Sequence, residues 1–173
     1  MERFEYAVRL VAAEEGGFVV RCRDLPELIT QGEDEADALH QAADAMDEVF
    51  AMYMSDGDAF PVPSKALKGE FMVSPPAETV AKAVLHSAML AAKVSKVELA
   101  GRMGVDEKAV RRLLDPHHAS KLPSIAEAVQ ALGQRLVIGL EAGHAAGVAT
   151  RAALQQALVK APAKASKRSA RVA

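Results

Sequence analysis

Hydrophobic residues alternate with polar ones at the start of the chain and then change period. Phe4, Tyr6, Val8 and Leu10 are interleaved with Arg3, Glu5, Ala7 and Arg9, the two-residue period of a half-buried strand. Glu15-Gly16-Gly17 supplies a tight turn, after which Phe18 to Arg23 reads as a second, antiparallel strand. Asp24-Leu25-Pro26 stops it, because proline cannot donate to a ladder. Leu28-Ile29-Thr30 forms a short third strand closed by Gly32. From Glu33 the period becomes helical, with Ala36, Leu39, Ala43, Met46, Phe50 and Tyr53 on one stripe. Glu33, Asp34, Glu35 and Asp37 suit the positive end of that helix. Phe71-Met72-Val73 offers a fourth strand before Pro75-Pro76. Three strands, a helix and a strand predict a small α+β layer.

Beyond the proline pair the pattern is helical. Ala77 to Lys93 reads as one helix, and Ser95 can cap the next, whose Leu99, Ala100 and Met103 share a face. Gly104 fits a turn position with positive φ. Asp106 can cap a further helix with Val110, Leu113 and Leu114 pointing inward. Leu99, Ala100, Met103, Gly104, Val105, Val110 and Leu113 stand at the offsets of a helix-turn-helix, which leaves Glu107, Lys108, Arg111 and Arg112 outward, where a recognition helix meets a major groove. An ordinary helical hairpin with a glycine turn is the plainer reading. Pro116 ends the second helix at Asp115, and Ser124 caps another that runs to Leu132 and closes at Gly133. Leu136, Ile138 and Leu140 alternate, predicting a late strand with no partner in its own half, so that pairing with a second copy would cover its edge. A helix from Val148 to Val159 follows, and then a basic, hydrophobe-poor tail that reads as disordered. The boundaries are a layer domain at 1–74, a linker at 75–80, a helix-turn-helix and dimerisation domain at 81–141, and an extension with tail at 142–173.

Charge sharpens this division. The formal net charge is only −2. Residues 1–60 nevertheless carry 15 Asp and Glu against 4 Lys and Arg, a net −11, whereas residues 61–173 carry 8 against 17, a net +9. An acidic half suits a basic protein partner and a basic half suits nucleic acid, although a well-solvated acidic helix needs no partner. With 173 residues, half of them apolar, the chain can build one medium domain or two small ones. A single cysteine, Cys22, cannot form an internal disulfide. The alternating N-terminus is no signal peptide, and no apolar run approaches a membrane span. A cytoplasmic soluble protein is the expectation.

The block from Glu14 to Met46, with Gly16-Gly17, Asp24-Leu25-Pro26, Thr30-Gln31-Gly32 and the acidic helix after it, resembles the HicB-type antitoxin domain of toxin–antitoxin systems. Residues 99–141 resemble the helix-turn-helix attached to some members of that family. Together the two blocks cover most of residues 1–141, and residues 142–173 depart from the pattern. The resemblance implies an incomplete ribonuclease-H-like layer, neutralisation of a small basic HicA-type mRNA-cleaving toxin, and binding of the protein's own operator. It implies no cofactor and no membrane.

Asp24, Glu27, Glu33, Asp34 and Glu35, near strand ends and the helix start, are the candidate toxin contacts. Each is also an ordinary solvated carboxylate in the plainer reading. For DNA, Arg111 and Lys108 are the candidate base readers, since arginine to guanine is the commonest specific pairing. Lys96, Arg112, His117, His118 and Lys121 are candidate phosphate contacts. Glu107 can accept from a cytosine amino group or simply sit in a helical first turn. A dimer, or a tetramer of two dimers, on an inverted repeat is expected. A ribonuclease-H-like layer also raises a nuclease reading through Asp24, Glu27, Asp44 and Asp47, but their spacing does not demand convergence on a metal. Adjacent His117 and His118 point apart in most backbones and make a poor metal pair. Cys22 alternates with Phe18 and Val20 and reads as a buried thiol. No residue is read as catalytic. A stand-alone regulator that senses a ligand through its first domain is the alternative.

Overall fold

The computed structural model describes residues 3–139. Strands β1 (Tyr6–Ala12), β2 (Phe18–Cys22) and β3 (Ile29–Gly32) form a meander. Helix α1 (Glu35–Asp56) then crosses back, so that β4 (Glu70–Val73) pairs with the far side of β1. The sheet order is β3-β2-β1-β4, and every pairing is antiparallel. Tyr6, Val8, Val20 and Cys22 turn inward from the sheet, as the two-residue alternation predicts. They meet Ala38, Leu39, Ala42, Met46, Val49 and Phe50 of α1 in one core.

Two glycines mark close backbone approaches beside the start of α1. Gly17 follows the hairpin turn with φ +75, and a Cβ there would lie 2.5 Å from the Gly32 carbonyl oxygen. At Gly32 a Cβ would come within 2.8 Å of the Asp37 backbone and closer still to that of Ala38. The Thr-Gln-Gly segment therefore ends in glycine because the first turn of α1 lies directly on it. The buried stripe of α1 is turned slightly from the expected one. Ala38, Ala42, Val49 and Met54 are buried, whereas Ala36 is exposed and Ala43 and Tyr53 are half-buried. Helix α1 begins at Glu35, with Glu33 and Asp34 lying before it.

The segment between α1 and β4 is tied down at several points. The Tyr6 hydroxyl donates to the Pro61 carbonyl at 2.8 Å, and both the amide and hydroxyl of Ser64 donate to Asp24 at 2.8 Å. Arg23 donates to the Lys65 carbonyl at 2.7 Å. Phe60 sits among the rings of Phe4, Phe50, Tyr53 and His86.

After Pro75-Pro76 come α2 (Ala77–Ala92), α3 (Lys96–Met103), α4 (Glu107–Leu114) and α5 (Leu122–Ala131). Leu85, Met89, Leu99, Val110, Leu113, Ile125 and Val129 fill a second core. Helix α2 serves both cores, with Ala83 in the first and Ala81, Leu85, Ala88 and Met89 in the second.

One expectation for the helical half needs correction. Helix α5 starts at Leu122 with Lys121 at the cap position and Pro123 in its first turn, so Ser124 is already helical and caps nothing. Proline is favoured at that point because its missing N–H is one of the donors a helix start leaves unpaired. The late strand, expected to pair with a second copy, has no partner within the single chain among the described residues. Residues 134–139 run without ladder bonds, leaving Val137 and Ile138 exposed by 56% and 72%. A lone strand with no neighbour has nowhere to place its hydrogen bonds. Leu140, the helix expected at 148–159 and the basic tail lie outside the described residues.

Candidate functional site

The outward face of α3 and α4 is built from caps upward. The Ser95 hydroxyl accepts from the Glu98 amide, while the Glu98 carboxylate takes the Ser95 amide at 2.8 Å. This reciprocal box satisfies donors that an α-helix start leaves open. These bonds hold the Glu98 carboxyl below its ordinary range, with Ser95's amide the largest cause. Gly104 closes α3 with φ +67, and Asp106 caps α4 by accepting the Ala109 amide at 2.7 Å. The turn Gly104-Val105-Asp106 thus places α4 against α3 through Leu99, Val110 and Leu113.

The candidate DNA residues all stand at the surface, but not in one condition. Lys96, Lys108, Arg112, His118 and Lys121 are exposed, as are Arg111 and His117. Glu107 is half-buried and accepts two hydrogen bonds from Arg111, at 3.0 and 2.9 Å. An exposed pair one turn apart on a helix contributes only about 0.3–0.5 kcal/mol, so Arg111 gives up this partner readily. His117 lies 3.8 Å from Glu48 of α1, and its amide donates to Asp115 at 3.0 Å.

Sequence reasoning missed a buried cation behind this face. Lys82 of α2 is fully buried. Its ammonium donates to the carbonyls of Asp115 at 2.7 Å, Pro116 at 3.4 Å and His118, and stands 3.2 Å from Glu78. Glu78 in turn takes the Ser120 amide at 2.7 Å, and this bond, with Lys82 beside it, draws its carboxyl below the ordinary range. The signal was available: Lys82 precedes Leu85 and Met89 by three and seven positions, on the face those residues bury.

In the layer the acidic candidates divide. Asp24 is half-buried and spends both carboxylate oxygens on Ser64. Asp34 is the N-cap of α1, accepting the Asp37 amide at 2.9 Å, while Asp37 accepts the Glu33 amide at 2.9 Å. The side chains of Glu27, Glu33 and Glu35 stand exposed. Glu27 lies close enough to Tyr53 to raise its hydroxyl pKa, after burial, which is the larger cause. The carboxylates of the nuclease reading are held in different places. Asp24 binds Ser64, Asp44 pairs with His40 at 3.3 Å, and Asp47 accepts from Thr79 of α2. Among the described residues no group of three or more His, Cys, Asp or Glu side chains is arranged to hold a metal. Cys22 is buried, and burial pushes its thiol above the ordinary value.

A groove of about 730 Å³ runs between the start of β1 and the segment before β4, lined by Phe4, Tyr6, Phe60, Pro61, Val62 and Met72 among others. Its walls are mostly apolar, and Arg3, Glu5, Ser64, Lys65 and Ser87 also line it. No helix among the described residues is long and apolar enough to cross a membrane.

Comparison with known proteins covers both halves. Residues 5–84 match the family model described as the HicB-like antitoxin of a bacterial toxin–antitoxin system. Antitoxin HicB 1 of Photorhabdus laumondii is 33% identical over 141 residues, covering 82% of this chain and 90% of that protein. Antitoxin HicB of Escherichia coli K12 is 36% identical over 131 residues, covering 76% and 95%. Antitoxin HicB of Pseudomonas fluorescens is 36% identical over 140 residues, covering 80% and 95%.

Proposed function

Since the chain belongs to the HicB-like antitoxin family, we propose that it neutralises a small basic HicA-type mRNA-cleaving toxin with its N-terminal layer and represses its own operon through α3 and α4. The observation that carries this reading is the charge division laid over two cores. The acidic residues gather on the sheet-and-helix layer, whereas residues 75–139 carry 9 Lys and Arg against 6 Asp and Glu and residues 140–173 carry 6 against 1. The layer, partial ribonuclease-H-like in the reading implied by the resemblance, docks the toxin through Glu27, Glu33 and Glu35. Complementary charge of this kind raises association rate and specificity more than affinity. Asp24 and Asp34 act there indirectly, by holding the loop before β4 and the start of α1.

At the operator, Arg111 and Lys108 reach base edges, and Lys96, Arg112, Lys121 and the two histidines meet phosphates. Exchanging the Glu107 pair for a bidentate guanine contact is favourable, because such a contact is worth about 1–3 kcal/mol. Two copies joined through residues 134–141 present two such helices to an inverted repeat, as a dimer or as half of a tetramer. That pairing gives the exposed Val137 and Ile138 a partner.

The test is a search beside the gene for a short basic reading frame and co-expression with it; an isolated gene would favour the stand-alone regulator. Co-elution of the two proteins and loss of the partner's ribonuclease activity are expected. Failure of both overturns the antitoxin half of the proposal. DNA from upstream of the gene should be shifted by the wild type and not by Arg111→Ala. An unshifted operator overturns the repressor half.

A further inference from the structure

The burial of Lys82 has a chemical requirement that its surroundings meet in an unusual way. A lysine ammonium out of water costs several kcal/mol unless it is fully hydrogen-bonded. Here its partners, besides the Glu78 carboxylate at 3.2 Å, are main-chain carbonyls of a single segment, those of Asp115, Pro116 and His118 just past the end of α4. One turn earlier on α2, Glu78 takes the Ser120 amide of the same segment. Ser120 then returns its hydroxyl to the carbonyls of Arg112 and His118, at 3.3 and 3.2 Å. A cation that collects carbonyls and an anion that collects an amide hold both polarities of one short piece of backbone. That piece, residues 115–121, carries His117, His118 and Lys121 on its exposed side.

We infer that Lys82 and Glu78 are positioning residues for DNA binding: they fix the segment after α4 so that His117, His118 and Lys121 meet phosphates while α4 lies in the groove. This rests on the operator-binding reading above. Phosphate contacts set the register of a reader helix without reading sequence themselves, so a segment free to move would leave α4 less well seated. Lys82 suits the task because its compact ammonium carries three donors and meets three converging carbonyls. Helix α2 also packs into the core of the layer through Ala83, so the segment is held relative to both halves.

The experiment titrates upstream DNA with wild type, Lys82→Met, Glu78→Ala and Glu78→Gln across a range of salt concentrations, with toxin co-elution measured in parallel. Each phosphate contact contributes a slope of about −0.9 to the log–log salt dependence. Lys82→Met is expected to weaken operator binding about tenfold or more, and to flatten the slope by one to two contacts' worth. Toxin co-elution should be unchanged. Glu78→Ala should do the same more weakly, and Glu78→Gln, which keeps an acceptor for Ser120 but removes the charge beside Lys82, should recover part of the loss. If Lys82→Met does not fold, the two Glu78 variants carry the test. Weaker binding with an unchanged slope in all variants means fewer folded molecules and overturns the inference, as does wild-type behaviour in Lys82→Met and Glu78→Ala. A wild type that shifts no DNA overturns the operator-binding reading itself and this inference with it.

Discussion

The layer and the helical half carry opposite charge, and they use it differently. In the layer, Asp24 holds Ser64 and Asp34 caps α1, so two of the five acidic candidates serve the fold before any partner arrives. In the helical half, Lys96, Lys108, Arg112 and Lys121 extend into solvent, and Arg111 is held only by a weak surface pair. The cores differ too. Phe4, Tyr6, Phe50 and Phe60 meet edge-on or stacked in the layer, whereas the helical core is aliphatic among its buried and half-buried members. Net charge in a sequence therefore overstates the charge a surface can offer, and more so where turns and caps use acids as acceptors.

Glycine substitution separates the two halves most strongly. Gly32 is limited by space, since a side chain there meets the backbone of α1. Gly32→Ala is expected to destabilise the protein by about 3 kcal/mol, as overpacking against main chain does, and to lower toxin capture. Gly104 has φ +67 and nothing within 4 Å of an added Cβ, so only conformation opposes a side chain. Gly104→Ala should cost about 1–2 kcal/mol, and Gly104→Asn less. Urea denaturation checks both. Equal costs at the two positions would break the comparison.

The next largest effects separate binding from folding. Arg111→Ala should weaken operator binding tenfold to a hundredfold, the equivalent of about 1–3 kcal/mol. Thermal stability and toxin capture should stay near wild type. Asp24→Ala should do the reverse, lowering stability by about 1–3 kcal/mol because the Ser64 amide and hydroxyl lose their acceptor, with operator affinity intact. Melting curves and gel shifts on the same preparations decide the matter. A stable Asp24→Ala that fails only in toxin capture would return Asp24 to the contact surface.

What the sequence disclosed follows the range of the forces involved. Alternation in β1 and β2, the caps Ser95 and Asp106 and the turn at Gly104 are local, and the structure has them where the pattern placed them. The start of α5 was misread because Ser124 and Pro123 both signal a helix start, and here the proline governs. The strand pattern at 136–140 has no intrachain partner among the described residues, which end at 139. Asp24 looks like free surface because its partner is 40 residues away in sequence; the place of Lys82 on the buried stripe of α2 is legible, but its partners are backbone carbonyls more than 30 residues on. Neither pairing leaves a mark in local periodicity. The residues proposed to dock and to read are legible only as exposed charge on their elements.

The smallest expected difference lies in pH, and its sign is opposite in the two halves. Glu78 and Glu98 are held below the ordinary carboxyl value of 4.5 by amides of Ser120 and Ser95. A carboxylate lowered by folding contributes stability above its unfolded pKa and loses it as pH falls through the folded one. The helical half should therefore loosen first on acidification below about pH 4.5. In the layer, burial raises the Cys22 thiol above 9.0 and, with Glu27 and Asp58 adding to it, raises Tyr53 above 10.0. These groups stay protonated longer when folded, so their contribution is complete below the unfolded value and fades as pH rises past it. The layer should yield first at alkaline pH. Amide hydrogen exchange along a pH series reads the halves separately, with Glu98→Gln flattening the acid side at α3 and Cys22→Ala the alkaline side at β2. If both halves lose protection together at each extreme, the cores joined through α2 open as one unit, and the division by charge is not a division in stability.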